Sequence, residues 1–434
     1  MKNLSPINYE NFLVNLLSYL IILLPFFLVT GPFLSDACIS IASLIFIFFV
    51  FKKKLFFYFN NFFFKLFLIF YIYLFLNSLF INVNFDSIKI SFFYFRFGIF
   101  ALALVFIIKN NINFLKNFFI SCLIVFSILV IDGYYEYFNG TNLIGLKTLT
   151  QGRVGSFFGE EAILGSFLSR LFPIMFGVFI FLKSDFNKPF LKYFIIIIFI
   201  LVDALIFITG ERTAFFLLNL STIYIICLSR SLRKLRALIL IISAFLILII
   251  VNLNDTAKKR FIDRTFEQFT GKDQKIVNQS NDESNDKIKY VFSKQHHEHY
   301  LSALNIFFDN KLFGVGVKNF RKICKEDKYN YSKLTCSTHP HNTYIQLLSE
   351  TGLLGFAYAF TAFVLILYYS IKQLNCNLKK KKYLNDFQIC ILSALFITLW
   401  PFVPTGNFFN NWLSIIYYLP VGILLSQLKL KPNF

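Results

Sequence analysis

Residues 339–356 read HPHNTYIQLLSETGLLGF and stand where a long polar segment ends and a new apolar run begins. Pro340 fits the first turn of a helix, because its missing N–H would have no intrahelical partner there. We therefore expect a helix that starts at Pro340 and is capped by Thr338 or His339. His341 then lies in the first turn, where the helix dipole disfavours a charged imidazole. A neutral imidazole can accept a proton, so His341 is a candidate general base.

Three polar side chains follow at helical spacing, namely Asn342, Gln346 and Glu350. Because they are four residues apart, they are predicted to form one polar stripe on the helix. Gly352 and Gly355 follow this stripe, and they allow either a bend or the close approach of a second helix.

The chain has 434 residues, of which 57% are hydrophobic, and a mean hydropathy of +0.63. Soluble domains are about 45–50% apolar, and several apolar runs here approach the roughly 20 residues that cross a bilayer. The composition therefore predicts an all-α, polytopic integral membrane protein. The net charge of +20 does not indicate nucleic-acid binding, because most Lys and Arg lie in short loops between apolar runs.

Twelve apolar runs are predicted to span the membrane. Their expected bounds are 12–30, 36–51, 63–82, 90–108, 113–131, 161–182, 189–209, 213–229, 235–252, 352–371, 386–403 and 409–427. We expect an N-terminal membrane region of about nine spans (1–252), a polar loop (253–342) and a C-terminal region of about three spans (343–434). Alternate loops are strongly basic, so the positive-inside rule places both termini in the cytoplasm. Arg153, Arg212 and His341 then share the opposite, outer face.

The polar loop is not uniform. Residues 271–289 are predicted to be flexible, since they are strongly polar. Residues 298–310 place apolar side chains at helical spacing, which favours an amphipathic helix on the membrane surface. Cys324 and Cys336 would both face an oxidising compartment, so we expect a disulfide that fixes the loop just before the motif.

Two further features, a charged residue inside an apolar run and a histidine cluster, each have more than one interpretation. Arg96 lies inside an apolar run, where an ionisable residue is functional by default; alternatively it pairs with another intramembrane residue such as Asp203. A cluster formed by His296, His297 and His299 lacks carboxylate or Cys partners at metal-binding spacing. We therefore predict no metal site there.

The opening stretch resembles the signature of the O-antigen ligase and O-antigen polymerase superfamily. That signature is His-Asn, His-Ser or His-Gln, then nine residues, then Gly-x-x-Gly. Here it is His341-Asn342, nine residues, then Gly352-Leu-Leu-Gly355. The loop adds a second resemblance, an aromatic-x-x-Ala helix followed by Gly-Val-Gly. Many members carry an Arg four residues before that aromatic, where this chain has His296.

This resemblance implies a GT-C-like membrane fold with about twelve transmembrane helices and a long periplasmic loop between helices 9 and 10. It implies an inner-membrane glycosyltransferase of lipopolysaccharide biosynthesis. The donor would be a glycan on undecaprenyl pyrophosphate, and the acceptor a sugar hydroxyl of the lipid A core or of another glycan. No cofactor, metal or nucleotide is expected. The implied roles are catalysis by His341, pyrophosphate binding by Arg212 and Arg153, and support by Asn342, Glu350, Gly352, Gly355 and His296.

Two rivals belong to the same superfamily: a polymerase of lipid-linked repeat units and a protein O-oligosaccharyltransferase. The long loop favours a ligase over both. For Arg212 the alternative is a cation that reaches the lipid headgroups, and its place in a short Gly-containing link favours phosphate binding. For Arg153, phosphate binding and a purely structural role are equally well supported. A transporter is a remoter alternative, since it would predict internal repeats and interrupted helices near the midplane.

Overall fold

A computed structural model of the chain describes residues 6–147, 152–161, 163–186, 188–253, 266 and 293–428. Helices dominate those residues, and no strand occurs among them. The helices are α1 (Pro6–Ile22), α2 (Leu24–Thr30), α3 (Pro32–Lys52), α4 (Phe62–Phe80), α5 (Phe85–Phe93), α6 (Phe95–Asn110), α7 (Phe114–Asn139), α8 (Leu164–Phe181), α9 (Pro189–Ile208), α10 (Arg212–Leu228), α11 (Arg233–Leu253), α12 (Lys294–Asp309), α13 (Phe320–Ile323), α14 (Thr343–Leu378), α15 (Asp386–Thr398) and α16 (Asn411–Ser426). Two short 3₁₀ helices cover Phe56–Phe59 and Ser156–Glu161.

Eight helical segments in the described part of the chain are long and apolar enough to cross a membrane, if α5 and α6 are taken as one segment. Helices α1 and α2 form a ninth, bent by 48° at the break between them. The shorter apolar helices α10, α15 and α16 coincide with the remaining predicted spans. The prediction of an all-α, polytopic membrane protein is thus confirmed.

Helices α6 and α8 lie at the centre of the bundle, because nearly all of their residues are buried. Helix α16 packs closely along α6, and Gly422 makes that approach possible. A Cβ atom at Gly422 would lie 2.6 Å from the Ala101 carbonyl oxygen. Helix α15 packs against α8 in the same way, which brings the C-terminal helices onto the N-terminal ones.

The possible partnership between Arg96 and Asp203 is wrong. A terminal nitrogen of Arg96 lies 2.6 Å from a carboxylate oxygen of Asp36, at the start of α3. Asp203 instead pairs with Arg236 at 2.5 Å, and both side chains are almost fully buried. Each of these four charges therefore meets its opposite charge on another helix, and this pairing stabilises them in an apolar surrounding.

In the polar loop, α12 forms over most of the segment where a surface helix is predicted. Its buried face consists of Glu298, His299, Ser302, Ala303 and Ile306. The apolar side chains of Leu301 and Phe308 are exposed on another face. The segment 271–289 lies outside the described residues. A disulfide joins Cys324 to Cys336, with their α-carbons 5.4 Å apart.

Candidate active site

The expected start of the motif helix at Pro340 is wrong. Helix α14 begins at Thr343, and Asn342 is its N-cap, since the Asn342 side chain accepts hydrogen bonds from the backbone N–H groups of Tyr344 and Ile345. Asn is a much better cap than His. His341 therefore precedes the helix, and its φ of +58° places it in the left-handed region. Such a conformation is uncommon outside glycine and is kept only where surrounding contacts hold it.

The segment before α16 supplies those contacts. The backbone N–H of Thr405 donates to the His341 carbonyl at 2.8 Å. The Asn342 side chain donates to the carbonyls of Pro401 and Val403, at 2.8 and 3.2 Å. The Tyr300 hydroxyl also donates to the His341 carbonyl, at 3.3 Å. The C-terminal membrane helices and α12 thus fix the backbone on which the imidazole is mounted.

Four imidazoles meet at this turn. The centroid of the His341 ring lies 4.0 Å from that of His339, 5.3 Å from that of His299 and 5.4 Å from that of His296. The Nε2 atom of His339 also lies 3.4 Å from the Thr405 carbonyl oxygen. Within the described ranges, no group of three or more His, Cys, Asp or Glu side chains is arranged to hold a metal ion. The imidazoles pack ring against ring rather than around a common point.

Packing of this kind keeps the imidazoles neutral. Burial lowers the pKa of His341 to about 3, and the three neighbouring rings add to the effect. Burial likewise lowers the pKa of His296 and of His339 to about 4. The neutrality expected for His341 thus arises from burial and from the other rings, rather than from a helix dipole.

Arg212 is the first residue of α10 and lies close to the imidazoles. Its charge contributes to the lowered pKa of His296, so the two side chains are within electrostatic reach. The preceding residue, Glu211, accepts hydrogen bonds from the backbone N–H groups of Gly165 and Ser166 at 2.6 and 3.1 Å. A Cβ atom at Gly165 would lie 3.1 Å from the Glu211 carboxylate. Glycine thereby lets the tight link before Arg212 dock onto the start of α8.

Arg153 lies on a neighbouring turn that two carboxylates of α7 anchor. Glu136 accepts from the backbone N–H groups of Gly155 and Ser156 at 3.1 and 2.6 Å. Asp132 accepts from the Ser156 hydroxyl. Ser156 has a φ of +50°, which these bonds hold in place.

The two arginine turns are joined directly. The backbone N–H of Val154 donates to the Thr209 carbonyl at 3.3 Å. The charge of Arg153 also acts on Glu211, next to Arg212. The turns that carry the two arginines are therefore adjacent in the structure.

The predicted polar stripe is present, but it faces the protein interior. Gln346 and Glu350 are fully buried, and Gln346 donates to Glu350 at 3.0 Å and to Asn407 at 2.9 Å. Glu350 accepts from the backbone N–H of Phe320 at 3.3 Å. These residues support the loop, and they do not line the histidine cluster.

The two motif glycines have different positions. Gly352, with φ +63°, lies at a kink in α14, and a Cβ atom there would come within 2.3 Å of the Leu312 backbone. Gly314 makes the reciprocal approach, since a Cβ atom there would lie 2.5 Å from the backbone between Glu350 and Thr351. Gly355 lies further along the helix, beside the Thr351 side chain. Because they lack side chains, Gly352 and Gly314 together allow the Gly-Val-Gly turn to pack closely against α14.

Sequence reasoning missed several contributors. Asp132 and Glu136 were hidden in a polar connection, and their role depends on backbone contacts that no pattern shows. Arg321 is half-buried, and its charge acts on both His339 and Glu350. Its position one residue after the aromatic of the Gly-Val-Gly segment is a signal that could have found it. The last contributor is the segment 401–405, whose sequence contains no motif that indicates a functional role.

A family model described as O-antigen ligase matches residues 194–360, which include Arg212, His296 and the whole of the His-Asn to Gly-x-x-Gly signature. Arg153 lies outside the matched range. No curated protein matches the chain. The matched region contains three parts that the structure brings together. They are the histidine turn, Arg212 at the start of α10, and the loop that packs on α14 at Gly314 and Gly352. The match supports the assignment of the chain to the O-antigen ligase superfamily.

Proposed function

We propose that the protein is a ligase of this superfamily that moves a glycan from undecaprenyl pyrophosphate to a sugar hydroxyl of the lipid A core. The match to the O-antigen ligase family supports glycan transfer in a membrane. The observation that carries the proposal is the meeting of His341, His296 and Arg212 at one end of the bundle. The positive-inside rule places that end at the periplasmic face of the inner membrane, with both termini cytoplasmic.

Arg212 and Arg153 would hold the pyrophosphate. A guanidinium binds phosphate oxygens in a bidentate manner and keeps its charge at any physiological pH. The nearby carboxylate of Glu211 accepts backbone N–H groups of α8, so it orders the turn. In the described residues Arg153 forms no ion pair, and its charge is available to a ligand.

His341 would act as the general base. It removes the proton from the acceptor hydroxyl while that oxygen bonds to the anomeric carbon of the donor sugar. The bond between the anomeric carbon and the pyrophosphate oxygen breaks, and undecaprenyl pyrophosphate leaves with the electron pair. Nothing in this step needs a metal or a nucleotide, because the donor is already activated.

A base with a pKa of about 3 is weak, and general bases work best with a pKa near the working pH. The donor itself corrects this mismatch. A pyrophosphate bound at Arg212 brings negative charge close to the histidine cluster, and negative charge favours the protonated imidazole. The pKa of His341 therefore rises when the donor is bound, so the base becomes effective only in the complex.

The alternative within the superfamily is a polymerase that joins two lipid-linked repeat units. It would use the same residues and differ only in the acceptor. A disruption mutant separates the two activities, since loss of all polymer from the lipid A core indicates a ligase. A product with a single repeat unit indicates a polymerase instead.

The test of the mechanism is His341→Asn in the full-length protein, reconstituted with a lipid-linked donor and a lipid A core acceptor. Asparagine tolerates the left-handed backbone at this position and lacks a basic nitrogen. We expect the transfer rate to fall by about 10²–10⁴, the usual contribution of a general base. His297→Ala, an exposed histidine on α12, is the matched control and should keep its rate. Full transfer by His341→Asn would rule out the proposed base.

A further inference from the structure

A cavity of about 310 Å³ is lined by none of the residues of the arginine turns. The polar side chains that line it are those of Asp86, Lys89, Lys318, Asn410 and Asn411. They come from the start of α5, from the Gly-Val-Gly segment and from the start of α16. None of them belongs to α7–α10 or to the connections between these helices, where Arg153 and Arg212 lie. The volume is at the small end of the about 300–1,000 Å³ range of ligand sites.

Lys318 is held in an unusual conformation at the wall of this cavity. Its φ is +58°, a region that a lysine seldom occupies. Its backbone N–H is held by the buried carboxylate of Glu350. The next side chain, Asn319, donates to the carbonyls of Val315 and Asn82, at 3.0 and 3.1 Å. Strain of this kind persists where the surroundings fix it, and it is found preferentially at functional sites.

The charge of the cavity favours an anion. Two lysines, Lys89 and Lys318, face one carboxylate, that of Asp86. Neither lysine forms an ion pair within the part of the chain that the structure describes. Burial, followed by the charge of Arg321, lowers the pKa of Lys318. A bound anion would counteract both effects, because its negative charge favours the protonated form of the Lys318 side chain.

The remaining lining suits a sugar. The side-chain amides of Asn410 and Asn411 both donate and accept hydrogen bonds, and the Asp86 carboxylate accepts them. Such groups match the mixed donors and acceptors of sugar hydroxyls.

The cavity is also connected to the motif helix. Glu350 holds the backbone of Lys318 and accepts from Gln346 at 3.0 Å. Gln346 lies one helical turn after Asn342, which adjoins His341. The cavity is therefore linked to the histidine turn through the buried polar stripe of α14.

We infer that this cavity binds an acidic sugar residue, of the uronate type, in the acceptor glycan. The inference rests on the proposed function only in naming that glycan as the acceptor. Arg153 and Arg212 would then hold the donor, and Lys318 and Lys89 the acceptor. An acidic sugar several residues from the reacting hydroxyl would fix the position of the acceptor without touching the reacting atoms.

The test measures binding of a uronic-acid trisaccharide and of its carboxyl-reduced, neutral counterpart to the full-length protein in phosphatidylcholine nanodiscs. Lys318→Asn keeps a residue that tolerates positive φ and removes the charge. Lys89→Gln tests the same cavity from another element, should the first variant fold poorly. We expect about tenfold weaker binding of the acidic probe to either variant, the size of one lost charged hydrogen bond. Lys322→Gln, an exposed lysine of the same loop, should bind as the parent protein does.

Three outcomes would overturn the inference: equal binding of the acidic probe to parent and variants, an equal loss with the neutral probe, or displacement of the probe when phosphatidylglycerol is added to the nanodiscs. The last would identify a lipid headgroup site. Failure of the proposed function is distinguishable, because the binding measurement needs no transfer. If His341→Asn still transferred glycan while binding remained dependent on Lys318, the proposed base would be wrong and the cavity assignment would stand.

Discussion

Carboxylates serve different partners in two regions of this molecule. In the bundle interior, Asp203 and Asp36 bind the guanidinium groups of Arg236 and Arg96 at 2.5 and 2.6 Å. Around the histidine turn, carboxylates accept instead from backbone N–H groups, as Glu136 does from Gly155 and Ser156. Under the proposed function, the first kind of charge holds helices together, and the second orders the turns whose arginines would bind a ligand.

The largest expected effect belongs to the interior pair. Asp203→Ala leaves Arg236 buried without its counter-charge, and breaking a buried pair in this way costs about 3–5 kcal/mol. We expect much less folded protein in the membrane, measured by the detergent-extracted monomer yield and by its melting temperature. The double variant Asp203→Leu with Arg236→Met should recover most of the yield, because it removes both charges. A stable Asp203→Ala protein would show that this pair is not structural.

The second-largest expected effect is on the rate of glycan transfer, with no change in the stability of the protein. Arg153→Gln should slow transfer by about 10–100-fold, since one bidentate phosphate contact is worth about 1.5–3 kcal/mol. The melting temperature should not change, because no ion pair is lost. Arg153→Lys should recover part of the rate, since lysine supplies a point charge without the planar fork. Arg230→Gln, an exposed arginine of a basic loop, is the control. A melting temperature that falls with the rate would place Arg153 among the structural arginines instead.

These contrasts mark what the sequence could predict. Hydropathy alone locates the helices, because the requirement to satisfy backbone groups in lipid leaves few other structures. Gly352 indicates a bend in the motif helix, since glycine tolerates the backbone of a kink, whereas His341 is expected inside the helix and lies before it. The helix start was wrong because a proline suggested a first turn, while the better cap, Asn342, stood two residues later. The partners of Arg96 and Asp203 depend on which helices pack together, and no local pattern carries that information.

The smallest expected effect tests how the site carboxylates act. Glu136→Gln keeps an oxygen that can accept from the backbone of Gly155 and Ser156 but removes the charge that strengthens those bonds. We expect the donor KM to rise by about two- to tenfold with little change in kcat, because Arg153 would be positioned less firmly. Glu160→Gln, an exposed carboxylate of the same connection, should leave KM unchanged.

The double variant decides whether Glu136 acts through Arg153. If it does, adding Glu136→Gln to Arg153→Gln should bring no further loss, since neighbours that work as one unit are not additive. Independent, additive losses would mean that Glu136 serves the site in some other way. In that case the arginine turn would hold its shape without its carboxylate, and the distinction between the two regions would rest on Arg153 alone.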